Sequence, residues 1–171
     1  TSGTTGRPKG VRRPLPPIDP DVAATLGTGF FAMFGVKAED GNVHLCGSPL
    51  YHTAVLVFSS TSLHFGHAVV LMERWTPALC LEAIQKYRVS TSHMVPTQFH
   101  RLLALPEDVR KRYDVSSTRC MVHAAAPCPV DVKRRMIEWW GPAICEYYAA
   151  TEGGGTLVGA EEWMTKPGTV G

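Results

Sequence analysis

From residue 43 onward, short apolar runs alternate with longer stretches whose apolar positions recur at helical spacing. Residues 43–46 read as a first short strand, with Gly41 and Gly47 on either side. Residues 53–65 form an apolar stretch of helical length ended by Gly66, and 68–72 read as a second strand. Thr76 serves as a helix cap with Pro77 in the first turn. Behind them Leu79, Cys80, Ala83, Ile84 and Tyr87 fall on one apolar face. Residues 89–95 make a third strand, with Ser and Thr interspersed. Pro96 opens a helix to residue 105, and Pro106 opens another to Tyr113. Residues 119–124 are a strand. Val132, Met136 and Trp140 then recur at helical spacing, and 143–147 close the series as a strand. Upstream, Asp19 caps and Pro20 starts a helix to Phe34, stopped by Gly35. The stretch 12–19, with Pro14, Pro16 and Pro17, reads as an extended connector.

Strand and helix alternating with short links predict a layered α/β fold built on a parallel sheet. Ligands in such folds lie beyond the carboxyl ends of the strands. That rule selects four segments: 48–53, 96–97, 124–128 and 148–156.

Composition narrows the picture. The 171 residues are 44% hydrophobic and 19% charged, enough for one sizeable core. A net charge of +2 argues against nucleic acid or a charged membrane surface as partner. The runs Arg110-Lys111-Arg112 and Lys133-Arg134-Arg135 read as solvated helix faces. Cys46, Cys80, Cys120, Cys128 and Cys145 are odd in number and include no CxxC, so they read as reduced core residues of a cytoplasmic protein. No apolar run is long enough for a transmembrane segment.

The opening stretch Thr1-Ser2-Gly3-Thr4-Thr5-Gly6-Arg7-Pro8-Lys9-Gly10-Val11 brings candidate chemistry. Its glycines let backbone approach an anion closely, its hydroxyls donate, and Lys9 adds a mobile positive charge. It is not a Walker loop, because Lys9 is followed by Gly10 rather than Ser or Thr. A Gly/Thr-rich solvent loop has the same composition, and that alternative stays open on these residues alone. A second stretch, Tyr147-Tyr148-Ala149-Ala150-Thr151-Glu152-Gly153-Gly154-Gly155-Thr156, follows a strand and reads as a loop. It offers a ring to stack on a base, a hydroxyl for phosphate and a carboxylate for Mg2+.

Taken together, these motifs resemble those of the adenylate-forming (AMP-binding) superfamily, and fatty-acid acyl-CoA synthetases within it. Residues 1–11 are similar to its phosphate loop. Tyr148-Ala149-Ala150-Thr151-Glu152 resembles its Tyr-Gly-x-Thr-Glu motif, with Ala149 where Gly is usual. His123-Ala124-Ala125-Ala126-Pro127 resembles its Gly-Ala-Ala-Pro segment, with Ala124 in place of Gly. Pro49-Leu50-Tyr51-His52 and Lys166-Pro167-Gly168-Thr169-Val170-Gly171 match two further stretches in the right order.

The resemblance implies an ATP-dependent acid–thiol ligase. A substrate carboxylate attacks the α-phosphate of ATP, pyrophosphate leaves, and coenzyme A then takes the acyl group. It further implies that Ser2, Thr4, Thr5 and Lys9 contact the β- and γ-phosphates, with Thr1, Gly3 and Gly6 in the same cofactor-binding loop. Thr4 and Glu152 would hold Mg2+, Tyr148 would pack on adenine, and Thr151 would reach the α-phosphate. The backbone of Ala124 and Ala125 would line the adenine and acyl sites. His52 would border the acyl site and the thiol channel. Such catalysis is positioning and charge neutralisation, which needs no enzyme nucleophile.

On this reading residues 1–171 are a partial AMP-binding domain, the middle of the large N-terminal domain, beginning at the phosphate loop and without the small C-terminal domain. Such a piece is expected to have little activity alone. A fatty acid is the expected substrate; an aryl or coumarate-type acid, or a non-catalytic nucleotide-binding fragment, are the alternatives. His44, His64, His67, His93 and His100 read as structural. Trp139 and Trp140 read as core.

Overall fold

Each of the five stretches read as strands becomes a strand of one sheet in the computed structural model, which describes residues 6–7, 10–12, 14–15, 17–38, 40–150 and 154–171. The strands are β1 (Val43–Cys46), β2 (Ala68–Leu71), β3 (Thr91–Met94), β4 (Cys120–His123), β5 (Ile144–Ala149) and β6 (Gly155–Val158), in spatial order β2-β1-β3-β4-β5-β6. The first five are parallel, and β6 runs antiparallel to β5, with Tyr148 opposite Thr156. The helices are α1 (Pro20–Ala32), α2 (Thr53–His64), α3 (Pro77–Tyr87), α4 (Pro96–Leu103), α5 (Glu107–Arg110), α6 (Val130–Trp140) and α7 (Ala160–Thr165), with a 3₁₀ turn at Gly141–Ala143.

The sequence signals work locally as expected. Asp19 accepts from the Asp21 amide at the start of α1, and Thr76 accepts from the Leu79 amide at the start of α3. Gly66 takes the left-handed conformation beyond α2 (φ +75°), which only glycine adopts cheaply.

Two apolar layers sandwich the sheet. On one face Phe31 of α1 and Phe58 of α2 pack on Cys120 and Val122 of β4. On the other, Cys80, Leu81 and Ile84 of α3, Phe99 and Leu102 of α4, and Met136 and Trp140 of α6 cover Leu45, Met94, Met121 and Ile144. Trp140 is core and Trp139 packs partly buried against it, as expected. All five cysteines are free, and Cys46, Cys80 and Cys120 are buried.

The polar strand β3 is buried because its side chains find partners. Ser92 Oγ donates to the Leu45 carbonyl at 2.7 Å, Thr91 Oγ1 and His44 Nδ1 lie 3.0 Å apart, and His93 Nε2 and the Tyr147 hydroxyl 3.1 Å apart.

Four expectations are corrected. In α3 the buried face is Cys80, Leu81, Ala83 and Ile84; Leu79 and Tyr87 stand exposed, because the helix meets the sheet one position round from the apolar stripe. Tyr148 and Ala149 belong to β5 rather than to a loop, and Gly155–Val158 pairs with them as β6. The helix opened by Pro106 is a single turn. Lys133 is fully buried, whereas Arg134 and Arg135 are exposed as expected.

Candidate functional site

Because β1, β3, β4 and β5 are parallel, the four segments selected from the sequence all leave the same edge of the sheet. The segment after β1 begins at Gly47, where a Cβ would sit 2.7 Å from the Trp75 ring; the close approach of that indole demands glycine. Gln98 ties this turn to the end of β3: its Nε2 donates to the Gly47 carbonyl at 3.3 Å, and its Oε1 accepts from the Val95 amide at 3.0 Å. His52 follows at the N-terminus of α2, exposed, with the Tyr51 ring 4.5 Å away.

After β4 the chain turns through Ala124–Pro127. Ala124 is buried, and its amide donates to the Met94 carbonyl at 3.4 Å. Ala125 is exposed and takes φ +73°, a left-handed conformation costly for a residue with a Cβ. The backbone strain of this turn therefore sits at Ala125, not at Ala124.

Two cavities flank the end of β5. One, of about 260 Å³, is lined by Ala125, Ala126, Pro127, Glu146, Tyr147, Tyr148, Ala149 and Val170. The other, of about 290 Å³, lies between α1 and the β5–β6 hairpin and is walled by Phe30, Met33, Phe34, Tyr147, Tyr148, Ala149 and residues 154–157. They share Tyr147, Tyr148 and Ala149. Tyr148 leaves 62% of its surface open, so its ring is available for stacking. Tyr147 instead points inward among Phe30, Phe34 and Phe58.

Beneath the first cavity lies a buried polar cluster that the sequence did not announce. Lys133 Nζ of α6 donates to Glu146 Oε2 of β5 at 2.5 Å, His123 Nε2 of β4 is 3.6 Å from the same oxygen, and the Trp163 ring of α7 lies 4.9 Å from Nζ. Burial pulls the Lys133 ammonium below the ordinary lysine value, against the opposing effect of the hydrogen bond it donates to Glu146. Burial also lowers His123 to about 3, helped by the Lys133 charge, so this imidazole is neutral. The one available signal was spacing: Lys133 stands three residues before Met136 and seven before Trp140, on the helix face that faces the sheet.

Of the residues expected to act, Ala125 and Tyr148 meet at one cavity. Ala124 lies buried at the base of the same turn, and His52 stands apart at the end of β1. Gly6 is exposed. Thr1, Ser2, Gly3, Thr4, Thr5, Lys9, Thr151 and Glu152 lie outside the described residues. Among the described residues no group of three or more His, Cys, Asp or Glu side chains is placed to hold a metal, and no helix is long and apolar enough to cross a membrane.

Residues 1–171 match the family described as AMP-binding enzyme. Across its full length the chain is 30% identical to a 4-coumarate–CoA ligase-like protein of Arabidopsis thaliana and 28% identical to a long-chain-fatty-acid–CoA ligase of Bacillus subtilis, covering 30% of each. It superposes over its full length on 33% of the o-succinylbenzoate CoA synthetase of Bacillus subtilis, solved with the acyl-adenylate OSB-AMP (TM-score 0.78, 26% identity). The same synthetase has been solved with ATP and magnesium ion (TM-score 0.77). The chain thus spans about a third of the length of these relatives.

Proposed function

The chain belongs to the AMP-binding enzyme family, and from that premise we propose that it carries the nucleotide and acyl sites of an ATP-dependent acyl-CoA synthetase. The carrying observation is the pair of cavities that meet at Tyr147–Ala149. Joining a nucleotide to an acid needs two compartments that touch where the new bond forms. The cavity edged by Glu146 and the alanine turn suits a base stacked on Tyr148. The cavity walled by Phe30, Met33 and Phe34 suits the apolar body of the acid.

In this reading Ser2, Thr4, Thr5 and Lys9 hold the β- and γ-phosphates, with Thr1, Gly3 and Gly6 shaping the loop. Thr151 reaches the α-phosphate, and His52 borders the path of the incoming thiol. Thr4 and Glu152 offer oxygen donors, the set Mg2+ prefers, and the bound ion would neutralise phosphate charge. The carboxylate attacks the α-phosphate and pyrophosphate leaves. The thiol of coenzyme A then displaces AMP from the acyl carbon.

The acid is apolar, and a fatty acid is the first reading. An aryl or coumarate-type acid is the second, favoured by the aromatic walls of the cavity and by relatives that carry coumarate in their names. The test is a carboxylate panel with the intact protein, Mg2+ and ATP, following pyrophosphate exchange and AMP release with and without coenzyme A. Exchange should require the acid, and AMP release should rise with coenzyme A. Lys9→Ala and Glu152→Gln should each reduce exchange at least a hundredfold. ATP binding without exchange for any acid, or exchange with amino acids alone, would end this reading.

A further inference from the structure

We propose that Lys133 is a positioning residue of the nucleotide cavity, clamping one carboxylate oxygen of Glu146 so that the other is held toward the ligand as a fixed acceptor. This rests on reading the cavity lined by Ala125, Glu146 and Tyr148 as the nucleotide site.

Four observations lead there. Lys133 is 0% exposed and Glu146 5%, and their contact is 2.5 Å. Burying two opposite charges is costly, and a well-packed apolar pair of the same volume would be as stable or more so, so stability does not account for the pair. Glu146 nevertheless lines the cavity, and among the described residues nothing donates to its Oε1. Finally, Lys133 is the only charged cation among the described residues in contact with Glu146. His123 is neutral, and its Nε2 at 3.6 Å is too far for a hydrogen bond.

The orientation of Glu146 therefore depends on Lys133. Trp163 presses on the ammonium from the opposite element, which holds Nζ in place. A carboxylate oxygen held beside the open Tyr148 ring accepts from an N–H donor in the plane of a stacked base.

Lys133→Met removes the cation. Glu146 is then left buried with only neutral His123 near its Oε2. Steady-state kinetics on the intact protein should show KM for Mg-ATP raised roughly tenfold or more, with kcat little changed. Lys133→Arg, which keeps the charge, should recover most of the affinity.

A merely structural role predicts otherwise: fewer active molecules, an unchanged KM and no rescue specific to a retained charge. The double variant Lys133→Met/Glu146→Met covers the case in which Lys133→Met alone does not fold. It removes both buried charges and should regain the parent's thermal midpoint while still binding ATP weakly. A parental KM for ATP in either Met variant overturns the proposal. A parent protein that binds no ATP overturns the reading of the cavity instead.

Discussion

Ala125 offers a quantitative test of the turn that edges the first cavity. At φ +73° its Cβ is held in the left-handed region, which costs about 1–2 kcal/mol for a residue that is not glycine. Ala125→Gly removes that strain. It also loosens the unfolded chain, which costs about 0.4–1 kcal/mol. The balance is a gain of about 0.8 kcal/mol, taking the middle of each range. Ala126→Gly is the natural control. Its neighbouring side chain is also exposed, so neither substitution leaves a cavity, but Ala126 is outside the left-handed region and should only lose the entropic term. The two variants should therefore separate by about 1–2 kcal/mol, the strain itself. Urea unfolding of the intact protein, with equal slopes in both variants, reads this difference directly. If Ala125→Gly is as destabilising as Ala126→Gly, the turn stores no strain and the argument fails.

Two further outcomes follow from the fold. Burial holds His44 at about 3, His93 at about 4 and His123 at about 3, all neutral in the native state. Unfolded, each titrates near 6.5, so the unfolded chain binds more protons between these values. Stability should be full above about pH 6.5 and fall toward pH 4 by up to about 1.4 kcal/mol per pH unit for each histidine; a urea midpoint that stays level from pH 7 to 5 would contradict this. Thr76→Ala, which removes the cap bond to the Leu79 amide, should cost about 1 kcal/mol in the same assay, and Thr76→Ser should restore it.

Much of the architecture was legible because it is written in local rules. Asp19, Pro20, Thr76, Pro77 and Gly66 act through their own backbone geometry and need no distant partner. The alternation of apolar runs fixed the parallel sheet, and with it the edge where the selected segments gather. What escaped depends on contacts across the fold. β6 begins in a glycine-rich stretch that reads as a turn, and it becomes a strand only because β5 supplies a ladder to join. Lys133 looks like the first of three solvated charges; only the approach of Glu146 and Trp163 makes burial tolerable. Phe30, Met33 and Phe34 fall at the end of a stretch read only as a helix stopped by Gly35, and their place in a cavity wall appears once β5 and β6 lie opposite. The opening stretch was the clearest motif in the chain, and residues 1–5, Pro8 and Lys9 lie outside the described residues.

The β5–β6 hairpin has a kinetic consequence. Every other strand pairing joins segments far apart in the chain: Val43 with Ala68, His44 with Thr91, Thr91 with Cys120, Met121 with Ile144. Ala149 and Gly155 meet across residues 150–154 alone. Loop closure costs entropy that grows with separation, so the hairpin is the cheapest pairing to form, while the parallel ladder must await distant encounters. Stopped-flow folding should accordingly show high φ-values at Leu157 and Tyr147 and low ones at Val69 in β2. The segment bearing Tyr148 would then be shaped early, and the sheet would assemble against it.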